Sequence, residues 1–206
     1  MLRSIPVLLL LALLSAASAA QSCPAADAAL GAPKSKGQLK SSYDKFADTT
    51  TLQSKGQGYA FLAQEEVMDL SLVAKSKGQT PGAMTAALHL KGTHQLDGRT
   101  QAAQTPDRFS DSSVAIVLAD TARMSLRATA HKAARYQFNI IGPPSIDEDV
   151  YFPITLEQLA VLAHARDGGI RIGEFDMPMK GKLIEGADAV YRVVACAEPL
   201  ATAASR

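Results

Sequence analysis

The chain has no tryptophan, and only 5 tyrosines and 6 phenylalanines among 206 residues. That scarcity argues against the aromatic platforms on which sugars and single-stranded nucleic acids stack. It also has almost no charge imbalance: the formal net charge is +1 at pH 7. A near-neutral protein has no overall field to draw in nucleic acid or an anionic membrane surface. No DNA- or RNA-binding signature offsets this, so no nucleic-acid partner is expected. Beyond the N-terminus no stretch is long and apolar enough to cross a bilayer, so no span is expected in the mature chain. Catalytic signatures are missing too. There is no GxSxG and no Cys–His motif, and neither HxxxH nor CxxC occurs.

What is present begins with a targeting pattern. Arg3 supplies a positive start, Val7 to Leu14 (VLLLLALL) an apolar stretch, and Ser15 to Ala20 (SAASAA) small residues suited to cleavage. This predicts a secretory signal peptide over 1–20 and an exported protein, periplasmic or secreted. Loss of Arg3 brings the basic count down to the 20 acidic residues.

Two cysteines remain, Cys23 and Cys196. In an oxidising compartment an even count is expected to pair, which predicts a disulfide joining the two ends of the chain. The alternative is a lipoprotein anchored through Cys23, although Ala20-Gln21-Ser22 is a poor signal for lipid attachment.

Residues 21–41 read as a flexible lead-in, rich in Ala, Pro, Ser and Lys. Residues 42–198 read as a single α+β domain and 199–206 as a disordered tail. YDKFADTTTLQ reads as a first strand. Met68, Leu70 and Leu72 alternate with polar residues, as do Met84, Ala86, Leu88 and Leu90, the period of half-buried strands. The four letters SKGQ recur at Ser35, Ser54 and Ser76, where glycine and wet side chains suit turns. Val114 to Ala119 reads as a central strand. MSLRATAH reads as another, with Arg123, Arg127 and His131 on one face, and Tyr136, Phe138 and Ile140 alternate after it. Tyr151 to Ile154 is a brief strand. Thr155 and Gln158 then form a capping box for a helix. IRIGEFDM turns at Gly173, and Leu183 to Val194 has helical spacing that carries the chain to Cys196. The expected fold is therefore α+β, a mainly antiparallel, sandwich-like sheet with two short C-terminal helices.

Candidate chemistry is sparse. The carboxylates Glu65-Glu66 and Asp147-Glu148-Asp149 sit in stretches that read as solvated loops, not as a catalytic pair. The four histidines have no metal-site spacing, with His131 facing outward and His164 closing a helix. No metal, cofactor or catalytic residue is expected. The candidate ligand-binding set is Arg123, Arg127 and His131, whose cations suit an anionic ligand.

YDKFADTT together with VYFPITLEQLAVLAHARDGGIRIGEFDMP resembles exported bacterial proteins of unassigned function. These open with Tyr-Asp-x-Phe and a Thr-rich strand and close with a Leu-rich capped helix and an Arg-Ile-Gly hairpin. The resemblance implies the fold and the compartment, and transfers no catalytic residue. The functional expectation is a non-enzymatic envelope protein that binds a partner or an anionic ligand through its sheet. The alternatives are an envelope hydrolase with a site assembled from distant residues, and a carrier of an apolar ligand.

Overall fold

The computed structural model describes residues 39–79, 83–97, 99–137 and 143–204, with the backbone alone for 198–204. The expected signal peptide, the lead-in up to Gln38, Cys23 and the first SKGQ copy lie outside the described residues. So do Pro81, Gly82, Phe138 and Ile140.

In chain order the strands begin with β1 (Leu39–Asp44), β2 (Thr49–Ser54), β3 (Gln57–Phe61), β4 (Glu66–Lys77) and β5 (Met84–Gln95). Then follow β6 (Val114–Ala119), β7 (Ala122–Arg127), β8 (Ala130–Tyr136) and β9 (Ser145–Ile154). Helix α1 (Leu156–His164), strands β10 (Gly168–Ile172) and β11 (Phe175–Pro178) and helix α2 (Gly181–Ala204) complete the fold. A seven-stranded sheet runs β1-β2-β4-β5-β9-β8, with β3 also paired to β4. A four-stranded sheet runs β11-β10-β6-β7. All pairings are antiparallel. The architecture is α+β, two sheets and two helices around one interior.

The two-residue period explains the core. Met68, Leu70 and Leu72 of β4 and Leu88 and Leu90 of β5 are fully buried. Across from them lie Val117 and Ile170 of the small sheet, with Leu159 and Val190 of the helices in the same cluster. Thr155 accepts from Gln158 N while the Gln158 side chain accepts from Thr155 N, so α1 starts at the expected capping box. Helix α2 lies close on β2. A side chain at Gly186 would put its Cβ 2.8 Å from Ser54 Cβ.

The punctuation reading holds for the described SKGQ copies, and the second also has bonding roles. Strands β2 and β3 pair in succession with the two halves of β4. Where one ends and the other begins, Ser54 Oγ accepts from Leu72 N, which keeps that buried amide satisfied. Gln57 Nε2 donates to Pro178 O, and its Oε1 accepts from Lys180 N, tying this turn to the small sheet. In the third copy Gly78 takes φ 87°, as a turn glycine should.

Four expectations need correction. YDKFADTTTLQ is a hairpin and not one strand, because Asp44 Oδ1 accepts from Phe46 N and Ala47 N and folds the chain back. MSLRATAH is two strands in different sheets, since β7 ends at Arg127 and β8 starts at Ala130. Strand β9 is ten residues long, so Asp147-Glu148-Asp149 is strand and not loop. Helix α2 spans 24 residues and continues through the expected tail to Ala204. Pro199 removes one amide donor near the end of that helix, and the alanine-rich stretch after it favours helix.

Candidate functional site

The structure divides the three candidate residues. Arg123 and Arg127 project from β7 on the outer face of the four-stranded sheet, while His131 turns inward from β8. The side chain of His131 is 11% exposed, against the outward orientation expected from one continuous strand. The break at Ala128-Thr129 and the change of sheet reverse the phase of the alternation.

The outer face around the two arginines is built by register. Arg123 stands opposite Leu118, and Leu118 opposite Gly169. Ser125 stands opposite Ile116, which faces Arg171, which faces Asp176. Arg127 stands opposite Val114. Val114 and Leu118 are exposed, although β6 is an inner strand of its sheet. An open groove of about 530 Å³ crosses this face between Arg123, Leu118, Gly169 and Pro178. Arg171 is neutralised by Asp176, with both nitrogen–oxygen contacts under 3 Å. Arg123 and Arg127 make no ion pair among the described residues. An apolar column flanked by two uncompensated cations is the result.

A second cluster lies on the inner face of the large sheet, at the end opposite α2's packing on β2. Glu66, His94, Glu148, His131 and Arg135 come from β4, β5, β9 and β8. The chain from Asp107 to Phe109 crosses over them as a strap. Glu148 is 1% exposed and accepts from Arg108 N (3.0 Å), Phe109 N (3.1 Å) and His131 Nε2 (2.8 Å). Asp107 pairs with Arg135, and its Oδ2 lies 4.0 Å from His131 Nδ1. Arg108 reaches the other way, its Nε 3.7 Å from Glu66 Oε2 and its Nη1 3.3 Å from Glu174.

Glu66 is the least satisfied group there. Its side chain is wholly buried, and neither oxygen has a hydrogen-bond partner among the described residues, although His94 Nδ1 stands 3.1 Å away. Burial pushes its carboxyl up to about 7; Arg108 opposes that shift, and the charges of Glu148 and Glu174 add to it. Burial, with the Arg108 charge, also holds His94 below the usual imidazole range.

The opposite face of the large sheet carries a hydrogen-bonded relay. Ser71 Oγ lies 3.3 Å from His89 Nδ1, and His89 Nε2 lies 2.8 Å from Asp149 Oδ1. The residue types are those of a nucleophilic triad. Ser71 is fully buried, however, and also accepts from Gln53 Nε2. Tyr151 stacks on the His89 ring with centroids 4.5 Å apart. No carbonyl substrate reaches a hydroxyl so enclosed, so the relay is a structural one.

The sequence reading missed Glu66, Glu148, His94, Asp107 and Arg108, and misplaced His131. One signal was available: Glu66 and Glu148 keep the phase of the buried residues Met68–Leu70–Leu72 and Val150–Phe152. No protein-family model, curated protein or solved structure matches the chain.

Proposed function

We propose that this is an exported, non-enzymatic binding domain of a bacterial envelope, working through the outer face of its four-stranded sheet. The observation that carries the reading is the pairing of an apolar column, the exposed Val114 and Leu118 with the half-buried Ile116 between them, with two cations that make no ion pair among the described residues. Such a face suits an anionic ligand with an apolar part: the strand column supplies apolar contact and the guanidiniums take the charge. Along β7, Arg123 and Arg127 are about 14 Å apart at the usual rise per residue, a spacing suited to an extended ligand. Export rests on the N-terminal sequence pattern, and a Cys23–Cys196 disulfide belongs to the same proposal. Cys196 lies half-buried in α2.

The test compares the purified mature protein with an Arg123→Ala/Arg127→Ala variant for binding to isolated envelope fractions. Native mass spectrometry of protein from its own cells reads the retained ligand and the cysteine state together. Strong loss of binding in the variant supports the reading. Unchanged binding removes it.

The hydrolase alternative has converging polar groups but no access to them, since Glu66, Glu148 and Ser71 are each at most 2% exposed. The apolar-carrier alternative has a groove of about 360 Å³ beside the start of α1, lined by Met84, Pro153, Leu156 and Val194. It predicts a lipid that co-purifies regardless of the arginines.

A further inference from the structure

Five stretches of chain meet at the polar end of the large sheet, and three of their side chains are placed as metal ligands. One oxygen of Asp107, one ring nitrogen of His131 and one oxygen of Glu148 lie within 4.8 Å of one another. His131 Nε2 and Glu148 Oε1 are hydrogen-bonded at 2.8 Å, and opening that contact to about 3.3 Å gives the donor spacing of a tetrahedral zinc. The donors are held from outside. Glu148 is oriented by the Arg108 and Phe109 amides, and Asp107 by Arg135. Outer contacts of this kind fix ligand geometry in metal sites.

A separate observation concerns the buried carboxylate beside this cluster. Glu66 is buried with both oxygens lacking a hydrogen bond among the described residues, and it leans diagonally over Gly92. Gly92 is the cross-strand partner of Glu148, and a Cβ there would lie 3.2 Å from Glu66 Oε1. The absent side chain at residue 92 lets the Glu66 carboxylate approach the Glu148 side of the cluster. The surroundings hold four carboxylates, Glu66, Asp107, Glu148 and Glu174, against two guanidiniums, Arg108 and Arg135, and two imidazoles, His94 and His131. Glu66 and Glu148 are the buried members of that set, and their burial is costly unless a proton or a cation balances the charge.

We propose that Asp107, His131 and Glu148 form a zinc site that clamps the 107–109 strap to the large sheet. One imidazole and two carboxylate oxygens are a zinc-type donor set, and three protein ligands leave a fourth position for water. Zinc at this position replaces the hydrogen bond between His131 and Glu148. The residues come from the strap, β8 and β9. Local spacing such as HxxxH or CxxC therefore has no bearing on this site, and the expectation of no metal rested on local spacing alone.

The experiment uses the full mature protein after exhaustive EDTA dialysis, titrated calorimetrically with ZnCl₂ and, in parallel, with MgCl₂. The expected result is one zinc per chain, a rise of several degrees in the unfolding midpoint, and much weaker magnesium binding. Asp107→Asn, at an exposed position that leaves the core intact, is expected to weaken zinc at least tenfold, and His131→Ala more. Arg123→Ala is expected to leave zinc unchanged, which separates this outcome from the fate of the binding-face proposal. Absence of zinc binding by the wild-type chain overturns the proposal. So does binding that Asp107→Asn and His131→Ala both leave unaltered, since the metal would then sit elsewhere.

Discussion

Glu66 occupies the room that Gly92 leaves: a Cβ on residue 92 would lie 3.2 Å from Glu66 Oε1. The result is a carboxyl inside the protein whose proton is held to about pH 7, chiefly by burial. In the unfolded chain the same group loses its proton near the ordinary value of 4.5. The folded state thus binds more protons across this window. The contribution is fully present below about 4.5 and is lost as pH rises through 7. At about 1.4 kcal/mol per pKa unit, the loss is on the order of 3–4 kcal/mol. In EDTA-treated protein, urea midpoints of wild type and Glu66→Gln should converge below about pH 4.5 and separate by about pH 8, with the variant the more stable. A difference that does not vary with pH would contradict burial of this carboxyl as its origin.

Glu148 supports the strap through its backbone. Replacement by alanine orphans the Arg108 and Phe109 amides and strands His131 without its partner. Breaking a buried pair in this way costs about 3–5 kcal/mol. Denaturant unfolding should register that loss, and hydrogen exchange should find the Phe109 amide unprotected. Glu148→Gln keeps an acceptor and should lose less. Equal protection at Phe109 in all three proteins would show that something else holds the strap.

Two glycines are required for different reasons, and their alanine variants should rank accordingly. At Gly168 a Cβ would lie 2.1 Å from Leu118 O, a clash with the backbone of the paired strand. Strands β10 and β6 would have to separate, so the loss should reach or exceed the roughly 1–3 kcal/mol of ordinary overpacking. Gly173 has open space around it but takes φ 59° at the hairpin turn. There the cost is conformational alone, about 1–2 kcal/mol. Thermal midpoints of Gly168→Ala and Gly173→Ala test the order; the reverse ranking would refute it.

Period-two alternation made the scaffold readable from the sequence because a half-buried strand imposes it residue by residue. Met68–Leu72 and Ala86–Leu90 are in the buried positions that the pattern assigns. The same alternation, extended one step before Met68 and through Ile146–Ile154, places Glu66 and Glu148 inside. Their charge had suggested loops, and a charged side chain on the apolar phase of a strand is better read as buried and functional or partnered. The rest was not local. The meeting of Asp107, His131 and Glu148 depends on strand register across β8 and β9 and on where the strap crosses. The phase of His131 depends on a two-residue break that no periodicity announces. Arg123 and Arg127 kept their shared face because both lie within one uninterrupted strand.

The Ser71–His89–Asp149 relay offers a direct check on whether chemistry takes place on the other side of the sheet. Serine nucleophiles of hydrolases need an open approach for a carbonyl and donors for the developing oxyanion. Ser71 is fully buried, its hydroxyl engaged by Gln53 and His89, and His89 is capped by the stacked ring of Tyr151. The folded protein should therefore resist labelling by a fluorophosphonate that modifies activated serines. Ser71→Ala should cost about 1 kcal/mol, the net worth of an ordinary buried hydrogen bond, through the lost contact to His89. His89→Ala should cost more, because it also strips Asp149 of its partner and Tyr151 of its stacking surface. Stoichiometric labelling of Ser71 in the native protein, abolished in His89→Ala, would instead make this face a catalytic one and return the hydrolase reading to first place.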